Sequence, residues 1–488
     1  MFFSREKTVI RNREDHNVSR KNIDPDALRV LYRLSESGFT TYLVGGSVRD
    51  LLMGRHPKDF DISTDAHPAQ IRKLFRNCYL VGRRFRLAHV VFGRKVIEVS
   101  TFRKPPQADE ADENVPGGLY QHEDNTFGTP EEDARRRDFT VNGLFYDIRT
   151  FRVIDYVGGL RDLERRTLSS IGDPNIRFCE DPVRMMRAVR FAARLDFRMD
   201  WSCRRALRRH YAEISKASAP RLLEEIMRLF GHSCSAAAFR LLWEHRLMSV
   251  LLPEVHAFAE QSGSARTSLW RHLAAFDQDP MNATASNGLR IAVLLAPIYR
   301  ARLAALAGGR VQDQGYDVAR EILEPLSQRM TLPRQTYYTA CMLLDGLHRF
   351  EEGAHPSRRM RMARHAMFNE ALALRRMELI ATGQPTDSLR EWEELSAQTP
   401  APDRHAPRPD DEQGRADGPA RMPRRGEDAL PAEAQADDEQ SSRRRRRPRR
   451  RSGRRGAPAD APHTPQAGAT GAPPPAARGD SDRTADAG

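Results

Sequence analysis

Apolar residues at helical spacing open the first ordered stretch of the chain. Between residues 24 and 38 they form a single stripe, made of Leu28, Val30, Leu31 and Leu34. This period predicts a helix that Gly38 ends. The apolar run at residues 41–44 then predicts a strand that leads directly into a Gly-Gly turn.

The residues after that turn predict a second helix. Gly45 and Gly46 precede Ser47, whose side chain we expect to cap a helix that runs through residue 53. Asp50 stands three residues later and completes an S-x-x-D capping box. The predicted order is therefore strand, glycine turn, helix.

Further short apolar runs predict a sheet. Residues 58–63 have the pattern of a second strand, and a helix is predicted from Pro68 to residue 75. Residues 88–92 and 96–102 flank Gly93-Arg94 and predict a hairpin. Together these elements predict a small mixed α/β sheet.

The pattern changes twice further along the chain. Residues 103–130, which include KPPQADEADENVPGG, lack periodicity and predict a loop. EEDARRRDFTVNGLFYD then predicts a helical turn and a strand, with FRVIDYVGG as its hairpin partner. From residue 181 to about 395 the stripes are helical, as in Leu222, Ile226, Leu229 and Phe230. The expected fold class is therefore α+β, a mixed sheet followed by a long all-α region.

Residues 400–488 have the composition of a disordered segment. They hold only two large apolar residues, Met422 and Leu430, and 14 of the 31 prolines of the chain. Such a segment cannot bury enough apolar surface to offset the entropy lost on ordering. We therefore predict a disordered tail.

Positive charge is concentrated in one part of that tail. The formal net charge of the chain is +13, and residues 400–488 contribute 18 Arg and 15 Asp+Glu to it. The arginines cluster in a basic arm, namely Arg443, Arg444, Arg445, Arg446, Arg447, Arg449, Arg450 and Arg451. We predict that this arm binds RNA. The alternatives are an anionic membrane surface, or a solubilising or autoinhibitory role without a dedicated partner.

The cysteines and the apolar runs indicate the cellular compartment of the protein. The five cysteines are odd in number and never spaced as CxxC, which argues against a disulfide framework and a zinc site. No run of 18 or more apolar residues occurs, and the opening MFFSREKTVIRNRED lacks the apolar stretch of a signal peptide. We expect a cytoplasmic protein without a transmembrane segment.

Three acidic residues on neighbouring predicted strands suggest a metal site. Asp59 and Asp61 flank Phe60 on one strand, so strand alternation places both carboxylates on the same face. Glu98 lies on a neighbouring predicted strand between Ile97 and Val99. Hard oxygen ligands of this kind suit Mg²⁺, which also takes substrate phosphates as ligands. A solvated strand face is the alternative interpretation of a D-x-D pair alone.

The glycine turn favours the metal site over the solvated strand face. Gly45, Gly46 and Ser47 stand where backbone N–H groups and a helix N-terminus meet an anion. A phosphate cradle about a dozen residues before a D-x-D strand supplies both halves of a nucleotide site. The combination indicates nucleotidyl transfer.

At this point three motifs carry a family resemblance. LVGGSVRDLLMGRHPKDFDIST, RRRDFTVNGLFYD and EDPVRMMRAVRFAARL together resemble the class II nucleotidyltransferases, the family of bacterial poly(A) polymerases and tRNA CCA-adding enzymes. The resemblance covers about residues 20–235. It implies a polymerase-β-like catalytic head followed by helical neck, body and tail domains.

The resemblance also implies domain boundaries. An N-terminal extension would comprise residues 1–22 and the nucleotidyltransferase head residues 23–168. The base-recognising neck would comprise residues 169–235 and the RNA-binding body and tail residues 236–398. The Arg-rich tail would comprise residues 399–488.

Carried over by position, the resemblance assigns the reacting groups. Asp59 and Asp61 would bind two Mg²⁺ ions, for which Mn²⁺ could substitute, and Glu98 would support them. Asp138 would be a further active-site acid, with a structural pairing to a neighbouring arginine as the alternative. The nucleotide would be ATP, held by Gly45, Gly46, Ser47, Arg49 and Arg137.

The third motif would read the base. Pro182 at the first helical position makes Asp181 a natural N-cap, and Arg184 and Arg187 follow on neighbouring turns. By resemblance, Asp181 and Arg184 would recognise the adenine without a template, and Arg187 would reach the triphosphate. The alternative is an N-capped helix with a basic solvent face that continues through Arg190 and Arg194.

Features outside the shared motifs favour one branch of the family. LVGRRFRLAHVVFG, the residues before the head and the Arg-rich tail resemble the poly(A) polymerases, and no His-Asp dipeptide of an HD domain occurs. The expected activity is template-independent polyadenylation of RNA 3′ ends in RNA processing and decay, with RNA-decay machinery as a partner and no DNA. The alternatives are CCA addition to tRNA and a catalytically silent RNA-binding protein.

Overall fold

The computed structural model describes residues 7–82, 87–104, 127–306, 314–350 and 356–398. The chain divides into two units, residues 1–407 and 408–488. The predicted basic arm and most of the predicted loop at 103–130 lie outside the described residues.

A mixed sheet of eight strands forms the N-terminal part of the described chain. Its order is β1-β8-β7-β2-β3-β6-β5-β4, and two further strands form a short parallel pair. The strands are β1 (Val9–Arg11), β2 (Thr41–Val44), β3 (Asp61–Thr64), β4 (Cys78–Val81), β5 (Leu87–Phe92), β6 (Lys95–Thr101), β7 (Leu144–Asp147), β8 (Arg152–Asp155), β9 (Thr167–Leu168) and β10 (Arg198–Met199). Within the large sheet β3 and β6 are parallel, and the other neighbouring strands are antiparallel.

Helices fill most of the described chain after the sheet. The helices of the described ranges are α1 (Pro25–Glu36), α2 (Gly46–Leu52), α3 (Pro68–Leu74), α4 (Pro130–Arg136), α5 (Gly159–Glu164), α6 (Pro174–Glu180), α7 (Val183–Leu195), α8 (Trp201–His210), α9 (Ala219–Leu229), α10 (Ser235–Glu244), α11 (Leu247–Leu251), α12 (Pro253–Gln261), α13 (Gly263–Gln278), α14 (Asn287–Ala305), α15 (Gly315–Met330), α16 (Arg334–Gly346), α17 (Pro356–Ala363), α18 (Phe368–Thr382) and α19 (Arg390–Gln398). None of them combines the length and the apolarity that crossing a membrane requires.

The predicted α+β class is confirmed, and local signals explain most of the head. The Asp24 side chain accepts the backbone N–H groups of Asp26 and Ala27 and so caps α1. Gly38, with φ +88°, follows the end of that helix. The predicted hairpin is β5 and β6, joined at Gly93 with φ +60°.

The N-terminal segment differs from the prediction. Residues 1–22 are predicted to precede the catalytic head, yet β1 pairs antiparallel with β8 and forms one edge of the head sheet. Strand β4, at the opposite edge, is not predicted. Both strands are short and are formed by pairing with strands from elsewhere in the chain. Their own sequence patterns are therefore weak predictors of strand structure.

Separate apolar cores support the sheet and the helical region. Helices α1 and α3 pack on one face of the sheet, around residues such as Ile62 and Val99. On the other face Ala134 of α4 packs with Phe145 and Ile154. A third cluster extends from Phe139 through the helical region. This continuous packing joins the end of the sheet to α7 and the helices after it.

Two buried histidines, His245 and His272, lie in the helical region that the structure describes. His245 follows α10 and is 3% exposed. Burial, and then the positive charges of Arg208 and Arg204, lower the pKa of His245 to about 4. The native state therefore keeps this imidazole neutral at pH values where the unfolded chain protonates it.

This histidine makes stability depend on pH. Its stabilising contribution is present above the unfolded pKa of about 6.5 and is lost as the pH falls toward 4. We expect His245 to lower the free energy of unfolding by about 2 kcal/mol between pH 7 and pH 5. Urea unfolding of the wild type and of His245→Leu at both pH values measures this difference. His56→Leu, at an exposed histidine, is the control, and an equal pH loss in wild type and His245→Leu would contradict the assignment.

Candidate active site

A cavity of about 920 Å³ lies where the ends of the central strands β2 and β3 meet the helices that follow the sheet. Its walls come from the β2–α2 turn, the start of β3, the segment after α4, and α7 and α9. The predicted site residues that line it are Gly45, Gly46, Ser47, Arg49, Asp59, Asp61, Arg137, Asp138, Asp181, Arg184 and Arg187. Residues from three separate sequence motifs are thus brought into one space.

The D-x-D pair lies on the wall contributed by the head. Asp61 is the first residue of β3, and Asp59 stands in the turn before it. Phe60 is 8% exposed and packs into the head core, whereas both aspartates are exposed. The predicted alternation is confirmed, although the strand begins at residue 61 and not at residue 58.

Glu98 lies beside Asp61 but outside the cavity lining. Parallel pairing of Ile62 with Val99 places Glu98 next to Asp61 on the adjacent strand. The Glu98 side chain is 52% exposed, and its Oε1 lies 3.8 Å from His89 Nε2. Desolvation by the surrounding cavity wall and then the negative charge of Glu98 raise the pKa of Asp61, the positive charge of Arg137 opposes them, and the charge of Asp59 adds a smaller rise.

These acids fit a hard divalent cation. The carboxylates of Asp59, Asp61 and Glu98 repel one another, and a bound cation would neutralise that repulsion. No three potential ligands among the described residues converge closely enough to enclose an ion on their own. Two carboxylates that leave ligand positions for phosphate oxygens are the arrangement that Mg²⁺ uses with nucleotides.

The backbone of the Gly-Gly turn lies close to Arg137 in the cavity wall. Gly45 has φ +72°, and a Cβ placed there would lie 2.7 Å from Arg137 Nη1. Only glycine fits this combination of backbone conformation and close approach. The predicted capping box is wrong: α2 begins at Gly46, and the Ser47 hydroxyl donates to the Val44 carbonyl oxygen at 3.0 Å.

Asp50 and Arg49 form a buried pair instead of a cap. Arg49 Nε donates to Asp50 Oδ1 at 2.9 Å, and a second Arg49 nitrogen donates to Asn142 Oδ1. Burial lowers the pKa of Arg49, and the charge of Asp50 opposes that effect. The second Asp50 oxygen accepts from Arg194 Nη2 at 2.9 Å, so this carboxylate connects α2 with α7.

Asp138 pairs with Arg187 across the cavity wall. Its Oδ2 accepts from Arg187 Nε at 2.8 Å, and its Oδ1 accepts from Phe139 N and Asn142 Nδ2. Burial alone would raise the pKa of Asp138, but the Arg187 charge and these hydrogen bonds lower it. The structure therefore contains the arginine pairing that was the alternative interpretation of this residue.

Arg137 lies between the glycine turn and β3. Its Nη2 donates to Asp133 Oδ2 at 3.0 Å and approaches Ser63 Oγ at 3.4 Å. Its buried Nε has no hydrogen-bond partner within the described part of the chain. This guanidinium keeps donor capacity beside Gly45 and Asp61.

The predicted base-reading motif begins at the junction of α6 and α7. Pro182 is already helical, with φ −59° and ψ −23°, and Asp181 Oδ1 accepts the Val183 N–H at 3.3 Å. Pro182 is the N-cap residue of α7, one position after the predicted cap, so Asp181 only adds one hydrogen bond to the first turn. Asp181 Oδ2 accepts from Arg221 at 2.8 Å, and Arg184 Nη1 donates to Glu180 Oε2 at 2.9 Å.

The basic residues that continue along α7 do not form a solvent face. Arg190 is 9% exposed, and its Nε donates to Glu225 Oε2 at 2.8 Å. Arg194 is held by Asp50. The alternative interpretation of the motif as a basic solvent face is therefore wrong for these positions.

Sequence reasoning missed the wall that α9 contributes. Glu225 is buried and accepts from Arg190 and Arg228, with Arg187 3.7 Å away. Arg221 and Glu224 of the same helix also line the cavity. Their spacing along one helix face, opposite the predicted apolar stripe, was the available signal.

The cavity is strongly positive. Eleven lysine and arginine residues line it, against six aspartate and glutamate residues. Burial, followed by the charges of Arg194 and Lys58, lowers the pKa of His232 in the same wall to about 4. A polyanion such as a nucleoside triphosphate is the ligand that this potential favours.

Two protein-family models match parts of this chain. Residues 41–169 match the family model described as "Poly A polymerase head domain". Residues 196–259 match the model described as "Probable RNA and SrmB- binding site of polymerase A". The first match contains the glycine turn, the D-x-D pair, Glu98 and Asp138.

Curated relatives and a solved structure extend the likeness. Poly(A) polymerase I of Salmonella typhi is 40% identical over 336 residues, which cover 66% of this chain and 71% of the relative. The CCA-adding enzyme of Lactobacillus helveticus is 34% identical over 254 residues, which cover 50% and 61%. The Bacillus stearothermophilus CCA-adding enzyme in complex with CTP superposes with a TM-score of 0.55 at 27% identity, covering 77% of this chain and 83% of that one.

The mixed sheet with its carboxylate pair and positive cavity defines a nucleotidyltransferase. More closely, the chain belongs to the family of bacterial poly(A) polymerases and CCA-adding enzymes. The resemblance that its motifs carry is thereby confirmed.

The glycine turn gives a prediction with a matched control. Gly45→Ala would strain the backbone and displace Arg137, so we expect nucleotidyl transfer to fall by about 100-fold. Gly38→Ala also strains a positive φ, but its Cβ would meet no atom within 4 Å. Both variants should lose stability by about 1–3 kcal/mol.

Transfer rates per folded molecule, with unfolding midpoints measured in parallel, separate the two effects. Gly38→Ala should retain wild-type transfer. Equal transfer by the two variants would show that the contact with Arg137 is irrelevant to activity.

Proposed function

We propose that this protein transfers AMP from ATP to the 3′-hydroxyl of RNA without a template and so polyadenylates RNA. The observation that carries the proposal is that Asp59 and Asp61 line the same cavity as Asp181 and Arg184. A carboxylate pair for nucleotidyl transfer and a pair of groups able to read a base thus share one space.

In the proposed reaction, O3′ of the RNA bonds to the α-phosphorus while the bond from that phosphorus to the departing pyrophosphate breaks. When bound at Asp59 and Asp61, two Mg²⁺ ions, or Mn²⁺, supply charge neutralisation to the phosphates and lower the pKa of the 3′-hydroxyl. Asp59 and Asp61 would hold these ions, and Glu98 adds negative charge beside them.

The triphosphate would be bound by the positive walls of the cavity. Arg137 is suited to it because its buried Nε has no hydrogen-bond partner among the described residues. Arg49 and Arg187 lie farther along the wall, each held in place by a carboxylate. Gly45 and Gly46 let the backbone approach the phosphates closely.

The adenine would be read at the start of α7. The carboxylate of Asp181 can accept from the exocyclic amino group, and Arg184 can donate to a ring nitrogen. Arg221 holds Asp181 at 2.8 Å, and Glu180 holds Arg184 at 2.9 Å. Base selection would therefore rest on side chains that are already oriented.

A basic face on α8 supports RNA binding. Arg204, Arg205, Arg208 and Arg209 are exposed, and no carboxylate of the described chain forms an ion pair with them. Arg205 also lies 5.2 Å from the centre of the Trp201 ring, which is 66% exposed. Unpaired arginines beside an exposed aromatic ring suit phosphates and bases.

The basic arm at Arg443–Arg451 would add a second RNA anchor. We propose the head at residues 23–168 with β1 added to it, the neck at 169–235, the RNA-binding body and tail at 236–398, and the arm beyond residue 399. An anionic membrane surface is the alternative partner of the arm.

The choice of polyadenylation over CCA addition rests on the relatives. The poly(A) polymerase relative is more identical over a longer stretch, at 40% over 336 residues against 34% over 254. The likeness to a CCA-adding enzyme bound to CTP favours the alternative. We propose a cytoplasmic role in RNA processing and decay, and the second family model, whose description includes SrmB, supports a protein partner.

Incorporation of single nucleotides tests the function. With Mg²⁺, an unstructured RNA and labelled ATP alone, we expect long ladders, because adenylate addition needs no second nucleotide. Asp61→Asn should lower incorporation by at least about 100-fold, since it removes a metal ligand. Asp65→Asn, at an exposed acid just after β3, should leave the ladders unchanged.

The same assay separates the alternatives. Addition limited to CTP and then ATP on tRNA lacking its 3′ end would replace the poly(A) proposal with CCA addition. RNA binding without incorporation of any nucleotide would favour the silent RNA-binding protein.

Salt titration tests the two RNA anchors. We expect Arg204→Ala with Arg208→Ala to reduce the slope of log Kd for single-stranded RNA against log salt by about 1.4, because each lost phosphate contact removes about 0.7. A chain ending at residue 398 should reduce this slope as well, because it lacks the arginines of the basic arm.

The control pair is Arg149→Ala with Arg152→Ala, two exposed arginines at the turn between β7 and β8. This pair should keep the wild-type slope. A wild-type slope for the α8 variant would remove that helix from the RNA-binding surface, and a wild-type slope for the shortened chain would do the same for the arm.

A further inference from the structure

One face of the head sheet carries a row of side chains that leads away from the metal-binding carboxylates. Glu98 lies beside Asp61, His89 pairs with Glu98, and Tyr79 pairs with His89. Paired residues on adjacent strands point to the same face of a sheet. We call Glu98, His89 and Tyr79 the Tyr79 row.

This face is open, unlike its reverse. Alternate residues of the same strands, such as Ala88, Val90 and Ile97, are buried in the head core. Tyr79 is 66% exposed, and Val81 and Val96 on its face are 46% and 44% exposed. An aromatic ring and two apolar side chains are thus presented to solvent next to the site.

The row lies on the opposite side of the carboxylates from the nucleotide cavity. Asp61 lines the cavity, whereas Glu98, His89 and Tyr79 are not part of its lining. In-line displacement places the attacking and leaving oxygens on opposite sides of the phosphorus. If the cavity holds the triphosphate, the attacking 3′-hydroxyl comes from the side where the row begins.

The length of the row suits the end of an RNA strand. Three interstrand spacings of about 4.8 Å separate Asp61 from Tyr79, which is roughly 14 Å. A stacked nucleic-acid strand rises about 3.4 Å per nucleotide, so the row spans roughly four nucleotides.

We propose that the Tyr79 row binds the 3′-terminal nucleotides of the RNA acceptor, with the Tyr79 ring stacking on a base. The inference rests on the proposed function, because it takes RNA as the acceptor. Exposed aromatic rings bind single-stranded bases of any identity through their π-faces. His89 stands between this ring and Glu98 and offers a hydrogen-bonding ring to the sugar or phosphate between them.

Sequence tolerance follows from this mode of binding. The 3′ end of a growing tail changes from the natural RNA sequence to adenylate, and a stacking surface accepts both. The row would therefore hold the strand end during successive additions without selecting its sequence.

Fluorescent RNA and steady-state kinetics test the proposal on the full chain. A six-nucleotide RNA carries 2-aminopurine at the fourth position from its 3′ end, and its emission is recorded without ATP. Stacking on Tyr79 should quench the emission in the wild type and in Tyr79→Phe, and Tyr79→Ala should restore it. The Kd for this RNA and the KM for RNA should rise roughly tenfold in Tyr79→Ala, while the KM for ATP should not change.

Tyr338→Ala is the matched control, since Tyr338 is a 46% exposed tyrosine on α16. It should match the wild type in every measurement. Unfolding midpoints of all variants confirm that the substitutions leave the fold intact.

The outcomes separate this inference from the proposed function. Wild-type quenching and wild-type KM for RNA in Tyr79→Ala would overturn the row as the acceptor site, even with ladders intact. A change of oligomeric state in Tyr79→Ala, with RNA binding unchanged, would make the face an interface between copies and also overturn it. Loss of quenching in Tyr79→Ala would support the row even if the wild type incorporated no nucleotide, because binding is measured without ATP.

Discussion

Three carboxylates that are largely shielded from water connect cavity walls whose positive charges would otherwise repel one another. Asp50, Asp138 and Glu225 each accept from arginines of α7, namely Arg194, Arg187 and Arg190. A charge removed from water is tolerated only when it is paired and hydrogen-bonded. The same pairs connect the head to α7 and α7 to α9, so the carboxylates that orient the arginines also fix the arrangement of these elements.

These ion pairs orient the arginine side chains of the cavity before any polyanion binds. The arginine side chains are oriented by carboxylates, so little reorganisation is needed when phosphates arrive. The charge balance of the lining remains positive because arginines and lysines outnumber acids by eleven to six. On the head wall Asp59 and Asp61 reverse that trend, and this local negative charge marks where a cation belongs.

Local sequence signals predict the head better than they predict the cavity. The stripe and caps of α1, the glycine hairpin between β5 and β6, and the burial of Phe60 between two exposed acids all follow from neighbouring residues. The burial of Arg190 and Arg194 does not, because their partners lie 35 and 144 residues away in the chain. Cationic residues at helical spacing resemble a solvent face until the tertiary fold supplies those partners. For the same reason the hydroxyl of Ser47 fits a cap in the sequence, yet it donates back to Val44.

Asp138 illustrates how burial changes the role of a residue. Its two oxygens accept from Phe139, Asn142 and Arg187, and these contacts lower its pKa. A carboxylate stabilised in this way is a weak base, so it is poorly suited to take a proton from a hydroxyl. Its contacts suit a positioning role, in which it holds the Arg187 guanidinium against the cavity wall. Loss of the proton from the 3′-hydroxyl would then depend on the cations that Asp59 and Asp61 would hold, because bound metal ions lower the pKa of an oxygen nucleophile.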